Sequence, residues 1–231
     1  TIINLERDFW QDYKIPFFLV TIIPIYQQKN IISGLGLTNA FSLFVAENQP
    51  LNANLKRLLI HEYFHSWNSP KLFTQTPAKQ SQYLWFTEGF TEYYTDLFAL
   101  RAGFITLQEY LQNYNNTLYE YYTSPAINST NQQIQNSFWH YYAVNKIAYQ
   151  RGYILAHNWN TLIKLQHPNN HKISLDNVMY ELLHKHQGSA TLMQLTTTKD
   201  DLSSTKFNDL QKPSSAAAKI NSTNFNDSTK A

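Results

Sequence analysis

An α+β fold, mainly helical, is what this sequence predicts, and three observations predict it. Two short runs rich in β-branched and aromatic residues stand before Leu51. Beyond Leu51 the apolar residues recur at helical spacing, and helix-opening and helix-closing signals punctuate that part of the chain. With 43% hydrophobic and 15% aromatic content in 231 residues there is ample material for a core, and the length lies within reach of one domain.

The strand-like segment Phe17 to Ile25 falls in the longest apolar stretch, Ile15 to Ile25, which is too short to cross a bilayer and is interrupted by two prolines. It is expected as a buried strand. Ala40 to Ala46 follows the punctuation of Gly34 and Gly36 and belongs in the same sheet. From Asn52 to Trp67 a helical stripe runs through Leu55, Leu58, Leu59, Tyr63 and Phe64, and Pro70 disfavours helix at Ser69. Leu84 to Ala102 reads as a helix ended by Gly103. The capping-box pattern Thr106-Leu107-Gln108-Glu109 then opens another toward Tyr122. The polar stretch Ser124 to Asn136 reads as a loop, Phe138 to Gln166 as a long helical region that Gly152 is placed to interrupt, and Ser174-Leu175-Asp176-Asn177 as the start of a last helix to about His186. After Leu195 the chain turns rich in Ser, Thr, Asn, Asp and Lys without periodicity. Residues 1–195 are therefore expected to fold as one unit, and 196–231 to form a polar linker or disordered tail.

Bulk chemistry narrows the function. A net charge of +2 from 18 basic and 16 acidic residues carries no signature for nucleic acid. With no cysteine, disulfides are excluded and any metal must use His, Asp or Glu. Thr1 begins without an initiator Met and no signal peptide follows it, so the compartment stays open: periplasmic or secreted if a signal segment has been removed, otherwise cytoplasmic.

The run His61-Glu62-Tyr63-Phe64-His65 sets two imidazoles four apart, on one face of the helix that carries them. Such a pair chelates one zinc ion, and the intervening Glu62 then stands beside an activated water as its general base. By composition the pattern arises by chance about 0.01 times in such a chain. A catalytic zinc site takes three protein ligands and an open position, and Glu88, in the next helix, is the candidate third ligand. Glu92 and Asp96 follow it one and two turns on, where either can accept the outer N–H of a zinc-binding histidine.

Beyond these positions the residues resemble a known family. His61-Glu62-Tyr63-Phe64-His65-Ser66-Trp67-Asn68, Leu84-Trp85-Phe86-Thr87-Glu88-Gly89-Phe90-Thr91, Tyr93-Tyr94, Arg101-Ala102-Gly103, Glu109-Tyr110-Leu111, Tyr149-Gln150-Arg151-Gly152 and Ser174-Leu175-Asp176-Asn177-Val178-Met179 resemble the glycyl aminopeptidase family of gluzincin metallopeptidases. The resemblance covers about residues 15 to 186. It implies a gluzincin, thermolysin-like catalytic domain with a small N-terminal sheet and a helical C-terminal lobe, one Zn2+ per chain on His61, His65 and Glu88, and Glu62 as base. It also assigns Tyr149 the oxyanion of the tetrahedral intermediate, a role suited to a phenol aimed at developing charge. Arg151 stands where the family has lysine, keeping the charge but not the geometry.

A second departure lies at Ser33-Gly34-Leu35-Gly36-Leu37, where the family usually reads Gly-Gly-Leu-Glu-His. Related aminopeptidases use a glutamate in this segment to bind the substrate's α-amino group, and Gly36 removes it. The backbone from Gly34 to Phe44 is expected to run along the substrate cleft, with Gly34, Leu35, Gly36 and Asn39 as substrate-binding residues. The partner implied is a peptide or protein substrate. The flanking β-rich and PDZ domains common in the family are not visible in this chain. Two other readings stay open: a zinc endopeptidase with no need for a free N-terminus, and a degenerate, metal-free peptide-binding domain.

Overall fold

The computed structural model describes residues 2–15, 17–26, 32–37, 39–47, 50, 52–68, 72, 83–170 and 172–186. The tail expected over 196–231 lies outside the described residues. In chain order the elements are α1 (Ile2–Trp10), β1 (Leu19–Ile25), β2 (Ile32–Leu37), β3 (Ala40–Ala46), α2 (Ala53–Asn68), α3 (Leu84–Thr87), α4 (Gly89–Arg101), α5 (Leu107–Thr123), α6 (Asn131–Ser137), α7 (Tyr142–Gln166) and α8 (Leu175–His186). The fold is thus mainly helical with one small sheet, an α+β arrangement.

The three strands lie in the order β1-β3-β2, with β1 parallel and β2 antiparallel to β3. Alternation along β3 sends Phe41, Leu43 and Val45 inward. The expectation of a buried strand over Ile15 to Ile25 is corrected here: β1 sits at the edge, and Leu19, Val20 and Ile22 are exposed. An edge position also explains how Pro24 is accommodated, since a strand with one neighbour can forgo a ladder donor. β2 was not expected, because its two glycines read as punctuation. Asn39 follows it in the turn to β3 with φ 54, a left-handed conformation that asparagine tolerates.

Three helical segments also depart from the sequence reading. α1 precedes the sheet and buries Glu6 and Trp10. α6 lies inside the stretch read as loop, because Thr130 and Gln133 form a reciprocal capping box in which a glutamine does the work more often sought from glutamate. α7 runs through Gly152 without interruption. Conversely, the helix expected over Leu84 to Ala102 is divided into α3 and α4 at Glu88.

Packing explains both of the last two findings. A Cβ on Gly152 would collide with the Trp85 carbonyl oxygen, and one on Gly89 would collide with Gly152 Cα and come within 2.8 Å of the Tyr149 carbonyl oxygen. The α3–α4 junction and α7 therefore cross backbone to backbone at a glycine pair, a contact that no other residue type permits. Around this crossing an aromatic core forms: Phe64 stacks on Tyr94 at 5.1 Å, Trp10 lies 5.2 Å from Phe64, and Phe86 lies 4.5 Å from Phe90. Each such pair contributes about 0.5–1.5 kcal/mol beyond the area it buries. The core clamps α2, α4 and α7 side by side, and β2 packs over α2.

Candidate metal centre

α2 carries His61 and His65 one turn apart, and their Nε2 atoms approach to 3.0 Å. Glu88 Oε2 lies 3.4 Å from each of them. The arrangement is local on one side and tertiary on the other. The helix repeat aligns the imidazoles, while Asn68 at the end of α2 ties the third ligand's segment down by donating to Thr91 Oγ1 at 2.9 Å and to the Thr87 carbonyl at 3.2 Å. His61, His65 and Glu88 are the group of potential ligands that converges among the described residues, with all three ligand atoms within 4.8 Å of one another.

This donor set fits a divalent cation. Tetrahedral bonds of about 2.0–2.1 Å place neighbouring ligand atoms roughly 3.3 Å apart, close to the edges of this triangle. Glu92 Oε1 sits 3.0 Å from His61 Nδ1, at an oblique angle to its N–H. A proton held there makes Nε2 a lone-pair donor directed at the shared point. Of the two acids expected to back a histidine, Glu92 is thus the one that reaches it. Asp96 instead pairs with Arg57 and accepts from Tyr153 at 2.9 Å and Asn113 at 3.1 Å. Arg57 also reaches Glu92 Oε2 at 3.1 Å, so it links the two carboxylates behind His61. Sequence reasoning missed Arg57, although its place one turn before His61 on the same face was a usable signal.

Electrostatics follow from this crowding. Burial alone would lower the pKa of His61, but Glu88 and Glu92 outweigh it and raise it to about 10. Burial would raise Glu88, yet His65 and His61 hold it below the usual carboxylate range. Glu92 is likewise pushed up by burial but drawn down to about 2 by His61 and Arg57. Glu62 behaves differently: burial raises it, only partly opposed by His61 and His65, so it is more basic than an ordinary carboxylate.

Glu62 lies directly under β2. A Cβ on Gly34 would collide with its carboxylate, and one on Gly36 would stand 3.3 Å from its Oε2. Gly34 and Gly36 therefore bring bare backbone over the carboxyl group. Leu35 lies between them in β2, while Asn39 is in the following turn. Tyr149 stacks at 6.2 Å on His61 and at 6.1 Å on Phe138. Burial, then the charge and hydrogen bond of Glu88, push its phenol well above the ordinary value, so it keeps its proton. The glycine crossing explains the meeting of Tyr149 and Glu88, for Gly89 directly follows Glu88 and Gly152 lies three residues, about one helical turn, after Tyr149. Arg151 points elsewhere, donating to the carbonyls of Ile127 and Ser129 at 3.2 and 2.8 Å and to Asn131 Oδ1 at 3.2 Å.

Two imidazoles and a carboxylate converge on one point as a donor set compatible with a metal ion, and a carboxyl group of raised basicity and a protonated phenol lie near them. The profile of the M61 glycyl aminopeptidase family matches residues 54–176, which include all of these residues except the β2 glycines. The chain belongs to that family of peptidases. No curated protein matches it.

Proposed function

We propose that this protein hydrolyses peptide bonds using one zinc ion held by His61, His65 and Glu88, on a gluzincin, thermolysin-like catalytic domain spanning residues 1–195. Convergence of three ligand atoms, with Glu62 on the same helix between the two histidines and Tyr149 stacked on His61, carries the proposal. Bound there, zinc supplies Lewis acidity to the attacking water and the scissile carbonyl. Glu62 takes the proton of that water and passes it to the leaving amine, a task that its raised basicity favours. Tyr149 donates its phenolic proton in a hydrogen bond to the oxyanion as charge develops. Glu92 orients His61, and backbone of β2 at Gly34, Leu35 and Gly36 lies along an extended peptide.

Specificity is aminopeptidase-like with a weak requirement for the free N-terminus. The observation behind this is Gly36: a side chain there would begin 3.3 Å from Glu62 Oε2, where a carboxylate could meet the substrate's ammonium group, and this chain has none. Two measurements test the reading. Elemental analysis of tag-free protein is expected to find one zinc per chain, and less than about 0.2 after reconstitution would overturn the metal centre. Matched peptides with free and acetylated N-termini are expected to be cleaved at similar rates, with Gly36→Glu shifting the balance toward the free amine. A strong preference for the free amine in the unmodified protein would mean that another group anchors it.

A further inference from the structure

A cavity of about 430 Å³ opens where α5 and α7 face the first turns of α2. It shares Tyr149 and Glu92 with the candidate metal centre, yet none of its lining side chains is aliphatic, whereas ligand pockets are predominantly apolar. Its charges are engaged with one another. Arg57 pairs with Asp96 and Glu92, and Lys146 Nζ stands 3.6 Å from Glu120 Oε2.

Carboxamides make up much of the remaining lining. Asn113 donates through Nδ2 to Asp96 Oδ1 at 3.1 Å, and because an ionised carboxylate only accepts, this orients the Asn113 oxygen away as a spare acceptor. Asn116, one turn further along α5, accepts from Gln112 at 2.7 Å through Oδ1, which leaves its Nδ2 as a spare donor. A carboxamide needs one donor and one acceptor, and these two lining residues, three apart on one helix, have one of each to spare.

We propose that the cavity receives an asparagine or glutamine side chain of the substrate, at a residue flanking the scissile bond, and that Asn113 and Asn116 read it. The inference rests on the peptidase reading above. Tyr149 is wall to the cavity and neighbour to the reacting carbonyl, so the side chain next to that carbonyl is the one within reach. In an extended peptide laid along β2, successive side chains alternate, and those turned from the sheet face the helices. An apolar side chain would strip water from the amides without replacing its hydrogen bonds. A charged one would meet pairs that are already matched.

The test uses the full, zinc-loaded chain and peptides that differ only at the residue on either side of the cleaved bond, with Gln, Met, Glu or Lys there. At one of the two positions Gln is expected to exceed Met by about tenfold in kcat/KM, and to exceed Glu and Lys as well. Asn116→Leu, at an exposed position of α5, and Asn113→Ala are each expected to bring the Gln-to-Met ratio toward one with zinc content unchanged. Equal rates for Gln and Met at both positions, a preference for Glu or Lys, or a ratio that survives both substitutions would overturn the proposal. Hydrolysis of none of the peptides sinks the peptidase reading and the pocket together, whereas hydrolysis indifferent to the residue sinks the pocket alone.

Discussion

At the scale of single residues, two carboxyl groups on α2 and α4 are driven in opposite directions by the same surroundings. Glu92 faces His61 and Arg57 and stays ionised, while Glu62 is buried under backbone and becomes basic. Glu62→Gln is therefore expected to retain zinc and lose most hydrolysis, because an amide cannot take up the water's proton; loss of metal would mean that Glu62 is misassigned. Tyr149→Phe, which removes one oxyanion donor, should retain zinc and cut turnover on the order of 100-fold in a steady-state assay. Glu6 provides a separate test. It is fully buried, neither carboxyl oxygen has a hydrogen-bond partner among the described residues, and burial raises its pKa well above 4.5 against a partial opposing pull from His61. Below pH 4.5 the group is protonated in both folded and unfolded chains. As pH rises through that value only the unfolded chain releases its proton, so stability declines until the folded-state pKa is passed. Glu6→Gln should match the parent near pH 4 and exceed its Tm by a few degrees at pH 8. A Tm difference independent of pH would rule this out.

At the scale of elements, glycine decides how closely the parts of the site approach. Gly34→Ala would force its Cβ against Glu62, whose Cδ and Cγ would lie 2.7 and 2.8 Å away, so the carboxyl group must move. A displacement of about 1 Å at a reacting group costs on the order of 100-fold. The expected result is intact zinc binding with turnover down by one to two orders of magnitude, whereas Gly36→Ala, at 3.3 Å, should have a milder effect. Gly152→Ala acts on the scaffold, since its Cβ meets the backbone of Trp85, which cannot yield as a side chain can. Overpacking of this kind costs about 1–3 kcal/mol or more. Differential scanning calorimetry should show Tm lower by on the order of 5 °C, and an unchanged Tm would show that the helices do not rely on this crossing.

At the scale of the whole molecule, the candidate metal centre joins α2 to the α3–α4 junction, so a bound ion cross-links segments that come together only on folding. Metal that binds the folded chain alone stabilises it by about 2.7 kcal/mol at a free concentration 100 times Kd. Chelation by EDTA is expected to lower Tm by roughly 5–10 °C and zinc to restore it. A Tm indifferent to both would contradict a centre that spans these helices. No helix among the described residues is long and apolar enough to cross a membrane.

What the sequence by itself determined is what short-range periodicity encodes: the helix that sets His61 and His65 on one face, the capping box that opens α5, and the helical character of most of the described chain beyond Leu51. These depend on hydrogen bonds between residues three or four apart, and one stretch of chain contains all the terms. What only the tertiary structure decided depends on partners distant in sequence. Glu92 and Asp96 share a helical stripe, yet the placement of Arg57 and Tyr153 draws Asp96 away from His61 and leaves Glu92 there. An apolar run reads as a buried strand until its neighbours are known, and among the described residues β1 has a neighbour on one side only. Gly34 and Gly152 look like breaks in a sequence. They are instead the places where β2 reaches Glu62 and α7 reaches the Glu88 junction, because a missing Cβ matters through what another segment brings against it.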